Sequence, residues 1–195
     1  TGCTRLVLHL QAARAPGAAG RETADGAMTG PAERESDGVP VLLSADQIAT
    51  RVAELAWQLS VDYAGRDVLL IALLKGALPF AVDLARALDR RVEMEFMSVA
   101  SYGAGIESSG VVRVIKDVET DVRDRHVLVV EDIVDSGRTL ARVLDLLRER
   151  GPSSLRVCAL LDKPCRRQVQ VCVDYVGFEV PDVFVVGYGL DHAER

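Results

Sequence analysis

Between Val127 and Leu140 the chain reads VLVVEDIVDSGRTL. Four apolar residues run into Glu131 and Asp132, then Asp135, and then Ser136, Gly137, Arg138 and Thr139 ahead of a helical pattern. Carboxylates so spaced at a strand end suit two tasks, holding hydroxyls or a hard cation and exchanging a proton with a reacting group. The small polar turn that follows has the character of an anion seat, because backbone N–H groups at a helix N-terminus receive a phosphate well. Each residue taken singly has an ordinary explanation, a solvated acid or an N-cap. The ordered string of strand, acids, small turn and helix points instead to a phosphorylated, metal-assisted ligand.

The elements that must position these groups follow from periodicity. Structure is expected from Val41, with a helix opened by the capping-box pair Ser44 and Gln47 and carrying Ile48, Val52, Leu55 and Leu59 on one face. Val68 to Leu74 is an apolar run of strand length that ends at Lys75 and Gly76, and Leu78 to Leu88 reads as a helix with Pro79 in its first turn. Val92 to Ala100 alternates like a half-buried strand and leads to Ser101 and Tyr102. The glycine- and serine-rich stretch from Gly103 to Gly110 then predicts a mobile loop between antiparallel strands, with strand character resuming over Val111 to Val118. A helix face at Leu140, Val143, Leu144 and Leu147 closes at Gly151 and Pro152. Strands are expected over Leu155 to Leu161, Val171 to Gly177 and Val183 to Tyr188. Strands alternating with helices predict an α/β fold with a largely parallel sheet, and right-handed crossovers bring Lys75, Glu131, Asp132, Asp135, Lys163 and Asp191 to the C-terminal edge of that sheet.

With 195 residues, 49% of them hydrophobic, the chain can bury one substantial core. Lys plus Arg number 23 against 29 Asp plus Glu, a net charge of −6, which argues against a nucleic-acid-binding or anionic-membrane surface. Anionic ligands must therefore be met by local groups or metal ions. Cys3, Cys158, Cys165 and Cys172 form no C-x-x-C pair, so neither a zinc site nor a disulfide framework is indicated and a cytoplasmic protein with reduced thiols fits. No G-x-x-x-x-G-K-[ST] is present, which removes the P-loop kinases and GTPases, and the G-x-G at Gly103 precedes no helix and follows an alternating strand, which argues against a dinucleotide fingerprint. Residues 1–40, rich in Ala, Gly, Arg, Glu and Thr, are expected to be a disordered extension, with one domain over 41–195.

The string VEDIVDSGRTL closely resembles the phosphoribosyl-pyrophosphate motif of type I phosphoribosyltransferases. LLKGALPF, SYG, LLDKP and VPDVFVVGYGLD resemble, in the same order, the remaining motifs of the hypoxanthine-guanine branch. The resemblance runs from about Ser44 to the end. It implies a type I phosphoribosyltransferase fold: a mostly parallel sheet flanked by helices, a flexible antiparallel loop, and a small hood built from N- and C-terminal segments. It also implies a Mg²⁺-dependent transfer of phosphoribose from phosphoribosyl pyrophosphate to hypoxanthine or guanine, in a homodimer or homotetramer. The alternatives are a xanthine-preferring relative and a non-catalytic sensor of phosphoribosyl pyrophosphate.

Roles implied by the resemblance carry physical reasons. Asp135 would be the general acid/base beside the purine's imidazole ring. Glu131 and Asp132 would lie at the ribose hydroxyls and their Mg²⁺, and Asp191, counted with the purine-binding residues, would bind the second Mg²⁺ linked to pyrophosphate. Ser136, Gly137, Arg138 and Thr139 would seat the 5′-phosphate, and Lys75 and Gly76 would contact pyrophosphate after a peptide bond that can be cis in the family. Lys163 would donate to the six-oxo group, which adenine lacks. Phe184 would stack on the base while the Val185 backbone faces its amide edge. Ser101 and Tyr102 would belong to a loop that closes over the reaction and excludes water. Two departures are visible: the family's pyrophosphate-binding Arg, six residues past the metal aspartate, would fall beyond Arg195, so a truncated C-terminus is expected, and His192 stands where Tyr is usual.

Overall fold

The computed structural model describes residues 5–8, 40–101 and 112–190. Its centre is a sheet of six strands: β3 (Val68–Leu74), β4 (Val92–Ser101), β5 (Val112–Lys116), β6 (His126–Val134), β7 (Ser154–Asp162) and β8 (Tyr175–Glu179). Their order across the sheet is β5-β4-β3-β6-β7-β8, and every pairing is parallel except β4 with β5. Helices α1 (Ala45–Asp62), α2 (Leu78–Ala87) and α3 (Arg138–Arg148) flank it. A separate parallel sheet of three short strands has the order β2 (Val41–Leu43), β1 (Arg5–Leu8), β9 (Phe184–Val186), so N- and C-terminal segments form one small cap, as expected of the hood.

Both faces of the large sheet are covered, which explains the unbroken apolar runs in its central strands. Successive side chains of a strand point to opposite faces. Accordingly Val68, Leu70 and Ala72 of β3 pack with Ile48, Val52, Leu55 and Leu59 of α1 and with Phe80 and Leu84 of α2. Leu69, Ile71 and Leu73 pack on the other side with Val143, Leu144 and Leu147 of α3. Burying each such side chain contributes about 1.5–3 kcal/mol, so the two layers hold β3 and β6 from both directions. The start of α1 is a capping box: Gln47 N–H donates to Ser44 Oγ at 3.2 Å, and Ser44 N–H donates to Gln47 Oε1 at 2.8 Å. From the same helix Arg51 donates Nε–H to Gly177 O at 2.9 Å and an Nη2 hydrogen to Val176 O at 2.8 Å, blunting the edge strand β8.

Three expectations need correction. The alternating stretch from Val171 is not a strand until Tyr175. Residues before it turn aside to bond the loop after β6, with Gln168 and Val169 N–H both donating to Ser136 O. The last strand stops at Val186 because Gly187, Tyr188 and Gly189 all adopt positive φ and make a turn. Residues 1–40 were expected to lack structure, yet Arg5–Leu8 forms the middle strand of the small sheet, where pairing on both edges satisfies a segment too short to stand alone. The rest of the extension before Pro40 and the loop over 102–111 lie outside the described residues. Among the described residues no helix is long and apolar enough to cross a membrane.

Gly177 is where β8 presses on β7: a Cβ there would lie 2.3 Å from the carbonyl oxygen of Leu160. Gly177→Ala is expected to lower stability by about 1–3 kcal/mol through overpacking, read as a lower denaturant midpoint at unchanged m-value.

Candidate active site

The parallel register decides which strand ends become neighbours. Val134, last residue of β6, pairs with Asp162, last residue of β7, so Asp135 and Lys163 leave adjacent strands side by side. On the other flank β3 pairs with β6 through Ala72 and Val130, which brings Lys75 and Gly76 next to Glu131 and Asp132. The residues expected to converge at the C-terminal edge do so wherever they are described. Asp191 and Tyr102 lie outside the described residues, and of Ser101 only the strand backbone is described.

The turn after β3 closes tightly on the acids. The Leu74–Lys75 peptide is cis, and a Cβ on Gly76 would lie 1.9 Å from Asp132 Oδ2, so any larger residue here would force the Asp132 carboxylate to move. Gly189, in the turn after β9, is packed against Gly76 in turn: its Cβ would meet Gly76 O at 2.3 Å. Leu74, Lys75, Gly76, Ser98, Val99, Asp132 and Gly189 line a cleft of about 340 Å³. A larger cavity at the opposite edge, lined by Asp67, Arg91, Glu93 and Arg125, is remote from these groups.

Glu131 and Asp132 are unlike a solvated surface pair. Burial, together with the charge of Asp132, pushes the Glu131 carboxyl well above the ordinary carboxylate range, and burial also raises Asp132, against an opposing bond from Glu131. Glu131 Oε2 is buried and without a hydrogen-bond partner. An orphaned carboxylate oxygen beside a second carboxylate is a waiting acceptor for hydroxyl groups or for a hard divalent cation completed by ligand oxygens. Among the described residues no cluster of three or more His, Cys, Asp or Glu forms a cation site by itself, so such an ion would depend on those ligand oxygens.

At the turn after β6, Gly137 has φ +81 and α3 begins at Arg138. The first intrahelical bond runs from Ala141 N–H to Gly137 O, so the amides ahead of it are not consumed by the helix. Arg138 N–H lies 3.4 Å from Ser136 Oγ. Thr139 sits one residue into the helix, partly buried.

Lys163 is buried, and its ammonium donates to Val183 O at 2.6 Å while its N–H donates to Val134 O at 3.0 Å. The lysine is thereby tied to both β6 and the approach to β9. Phe184 is 37% exposed, whereas Val185 is buried in the core at 6%. An aromatic face and a buried-strand backbone thus stand near the lysine, an arrangement suited to a flat heterocycle.

Sequence reasoning missed the two arginines after Lys163. Arg166 Nε donates to Asp135 Oδ1 at 3.0 Å and reaches Asp182 Oδ2 at 3.4 Å. Both ends of the Arg166–Asp135 pair are exposed, so a ligand can displace it at a cost of about 1 kcal/mol or less. Arg167 bonds the carboxylate of Asp162 and donates to Asp135 O at 2.9 Å. Their signal was the doubled arginine in a loop following a strand end, but the acids it meets are distant in sequence.

A parallel sheet whose C-terminal edge joins a partly buried acid pair, a turn with amides suited to an anion and a buried lysine near a partly exposed aromatic residue fits a class: enzymes that handle a phosphorylated sugar together with a heterocyclic base. The chain belongs to the phosphoribosyl transferase domain family, whose model matches residues 41–193. It is 52% identical over 161 residues to the hypoxanthine-guanine phosphoribosyltransferase of Mycobacterium tuberculosis, covering 80% of this chain and 80% of that one. It is 51% identical over 155 residues to the bifunctional protein TilS/HprT of Listeria monocytogenes, covering 80% of this chain but only 24% of that longer protein. A crystal structure of a hypoxanthine phosphoribosyltransferase from Staphylococcus aureus superposes with a TM-score of 0.74 at 41% identity, over 77% of this chain and 82% of that one.

The raised Glu131 has a stability consequence with a definite sign. Its proton is retained by the folded chain but released by the unfolded one as pH rises above the ordinary carboxylate range, so folding loses stability in that direction and loses none below it. Glu131→Gln should therefore raise the Tm of unliganded, metal-free protein at about pH 8, with the gap closing toward about pH 4, in paired thermal melts.

Proposed function

We propose that this chain is a purine-salvage transferase that joins hypoxanthine or guanine to the ribose of phosphoribosyl pyrophosphate, releasing pyrophosphate and the nucleoside monophosphate. The observation that carries the reading is the pairing of Val134 with Asp162, which makes Asp135 and Lys163 neighbours at the mouth of the phosphate turn. One group can accept a proton from the base and the other can donate to its six-oxo oxygen, so identity and reactivity of the acceptor are read at adjacent strand ends. The names of the relatives support the same substrates.

In this reading the amides after Asp135 bind the 5′-phosphate, and Ser136 and Thr139 add hydroxyls. The ribose hydroxyls meet Glu131 and Asp132, whose unpartnered oxygen gains a donor on binding. Lys75 and Gly76 bind the departing pyrophosphate. Mg²⁺, when bound, neutralises the pyrophosphate and polarises the bond to the sugar carbon; Glu131, Asp132 and Asp191 are the carboxylates assigned to it. As the ring nitrogen forms its bond to the sugar carbon and the bond to pyrophosphate breaks, Asp135 takes the proton of the base's imidazole ring. Lys163 exchanges its bond with Val183 O for one to the six-oxo group, Phe184 covers the ring, and Val185 offers backbone groups to the amide edge. Ser101 and Tyr102 belong to the segment that closes the site against water. A cytoplasmic location suits the free thiols of Cys158, Cys165 and Cys172, and a dimer or tetramer would cover the exposed Trp57 and Val61 of α1.

Incorporation of labelled hypoxanthine, guanine, xanthine and adenine, assayed in parallel with phosphoribosyl pyrophosphate and Mg²⁺, tests the proposal. Product with the first two bases is expected; a preference for xanthine would reassign the base, and no product with any base would favour a sensor. Asp135→Asn should lower kcat by about 10²- to 10⁴-fold while leaving the Tm nearly unchanged, because its side chain is exposed.

A further inference from the structure

We infer that Arg167 is a positioning residue that aims the amides of the phosphate turn, acting through the backbone of Asp135 without touching substrate. The inference rests on the transferase reading above and adds to it a residue outside the motifs that carried that reading. Arg167 leaves the short 3₁₀ turn Pro164–Arg166 and sends its guanidinium back beneath the ends of β6 and β7. One edge bonds the Asp162 carboxylate, and Nη1 donates to the backbone carbonyl of Asp135 at 2.9 Å. The ion pair is screened from water, with side-chain exposures of 14% for Arg167 and 11% for Asp162. The planar fork of arginine satisfies two acceptors at a fixed spacing, which lysine's single ammonium does not.

Peptide planarity turns this into aim. In a trans peptide the N–H points opposite to the C=O of the preceding residue. Holding Asp135 O toward Arg167 therefore directs Ser136 N–H the other way. The next peptide is held alike: Gln168 and Val169 N–H donate to Ser136 O at 2.9 Å and 3.0 Å, which directs Gly137 N–H away from that segment. Beneath the turn the stem of Arg167 fills space, since a Cβ on Gly137 would lie 3.0 Å from Arg167 Cδ and 2.6 Å from Val169 O. Two consecutive carbonyls are drawn to one side, and the two amides that follow them face the ligand. An amide turned by a few tens of degrees weakens a hydrogen bond steeply, so loosening Arg167 costs phosphate affinity before it costs anything at the base.

The Asp135 backbone moves with its side chain, so the same loosening misplaces the proton acceptor. The expected result for Arg167→Gln is a kcat/KM lowered by about 10²-fold, the scale of an ångström-sized misplacement. The diagnostic reading is a ratio of affinities, measured by titration calorimetry with inosine 5′-monophosphate and with inosine, which differ only in the phosphate. Arg167→Gln should reduce the preference for the nucleotide by about tenfold, and Asp162→Asn should reduce it in the same direction by less. Arg167→Lys should recover little of it. A merely structural ion pair would lower the Tm and leave the ratio alone; a folded Arg167→Gln with the wild-type ratio overturns the inference. If Arg167→Gln does not fold, Asp162→Asn decides, a reduced ratio supporting the inference and an unchanged one overturning it. Wild-type protein that prefers the nucleotide yet transfers phosphoribose to no base would overturn the transferase reading alone, because the ratio is a binding measurement.

Discussion

Parallel pairing of β6 with β3 on one side and β7 on the other is the constraint on which the site depends. The pairs Ala72 with Val130 and Val134 with Asp162 settle which residues meet at the sheet edge. Because side chains alternate faces along a strand, a slip of one residue would turn the packed faces inside out, so burial on both sides locks the register. The apolar residues of β6 from Val127 to Val130 are wholly buried and divide between the two cores. Catalytic geometry here is thus inherited from hydrophobic packing several residues away, and the loops supply chemistry to an edge whose spacing they did not set.

That edge carries a local conflict. Two acids are crowded where burial disfavours their charge, and one oxygen has no donor. Such an arrangement costs stability in the empty protein and is relieved by a ligand that brings hydroxyls or a cation. The glycines show how closely the backbone is drawn in around it. Gly76 lies against Asp132 and Gly189 lies against Gly76, so the turn after β9 touches the turn after β3 without side chains between them. Tyr188, buried, fastens this joint by donating to Asp83 Oδ2 at 2.7 Å from α2, a bond that together with burial keeps its phenol protonated. The segment bearing Phe184 and the segment bearing Lys75 are therefore mechanically linked.

An acidic protein that binds polyanions must concentrate its cations locally. Lys75, Arg138, Lys163, Arg166 and Arg167 all follow strands at this one edge or open the helix after it. They divide by burial: Arg166 is half exposed and its bond to Asp135 is exchangeable, whereas Arg167 is sequestered with Asp162. The exposed partner can yield to a substrate, and the sequestered one holds shape.

Local order was readable from the chain alone. Val68 to Leu74 and Val127 to Val130 announce buried strands, Ser44 with Gln47 announces the start of α1, and the small turn and helix pattern after Val134 announce a strand-to-helix turn, because each is a short-range property of neighbouring residues. Family resemblance then named roles for Asp135, Lys163 and their companions. What depended on distant residues was not readable. The stretch from Val171 alternates like a strand, but Gln168 and Val169 just before it bond Ser136 O and Val171 packs against Gly137, and Arg5–Leu8 has too little apolar length to declare itself until β2 and β9 pair with it. The raised proton affinity of the Glu131 carboxyl, the closure of Gly189 on Gly76, and the fork of Arg167 across two strand ends arise only once the sheet is assembled. Periodicity records which face of an element is buried; tertiary structure alone decides which partner it is buried against.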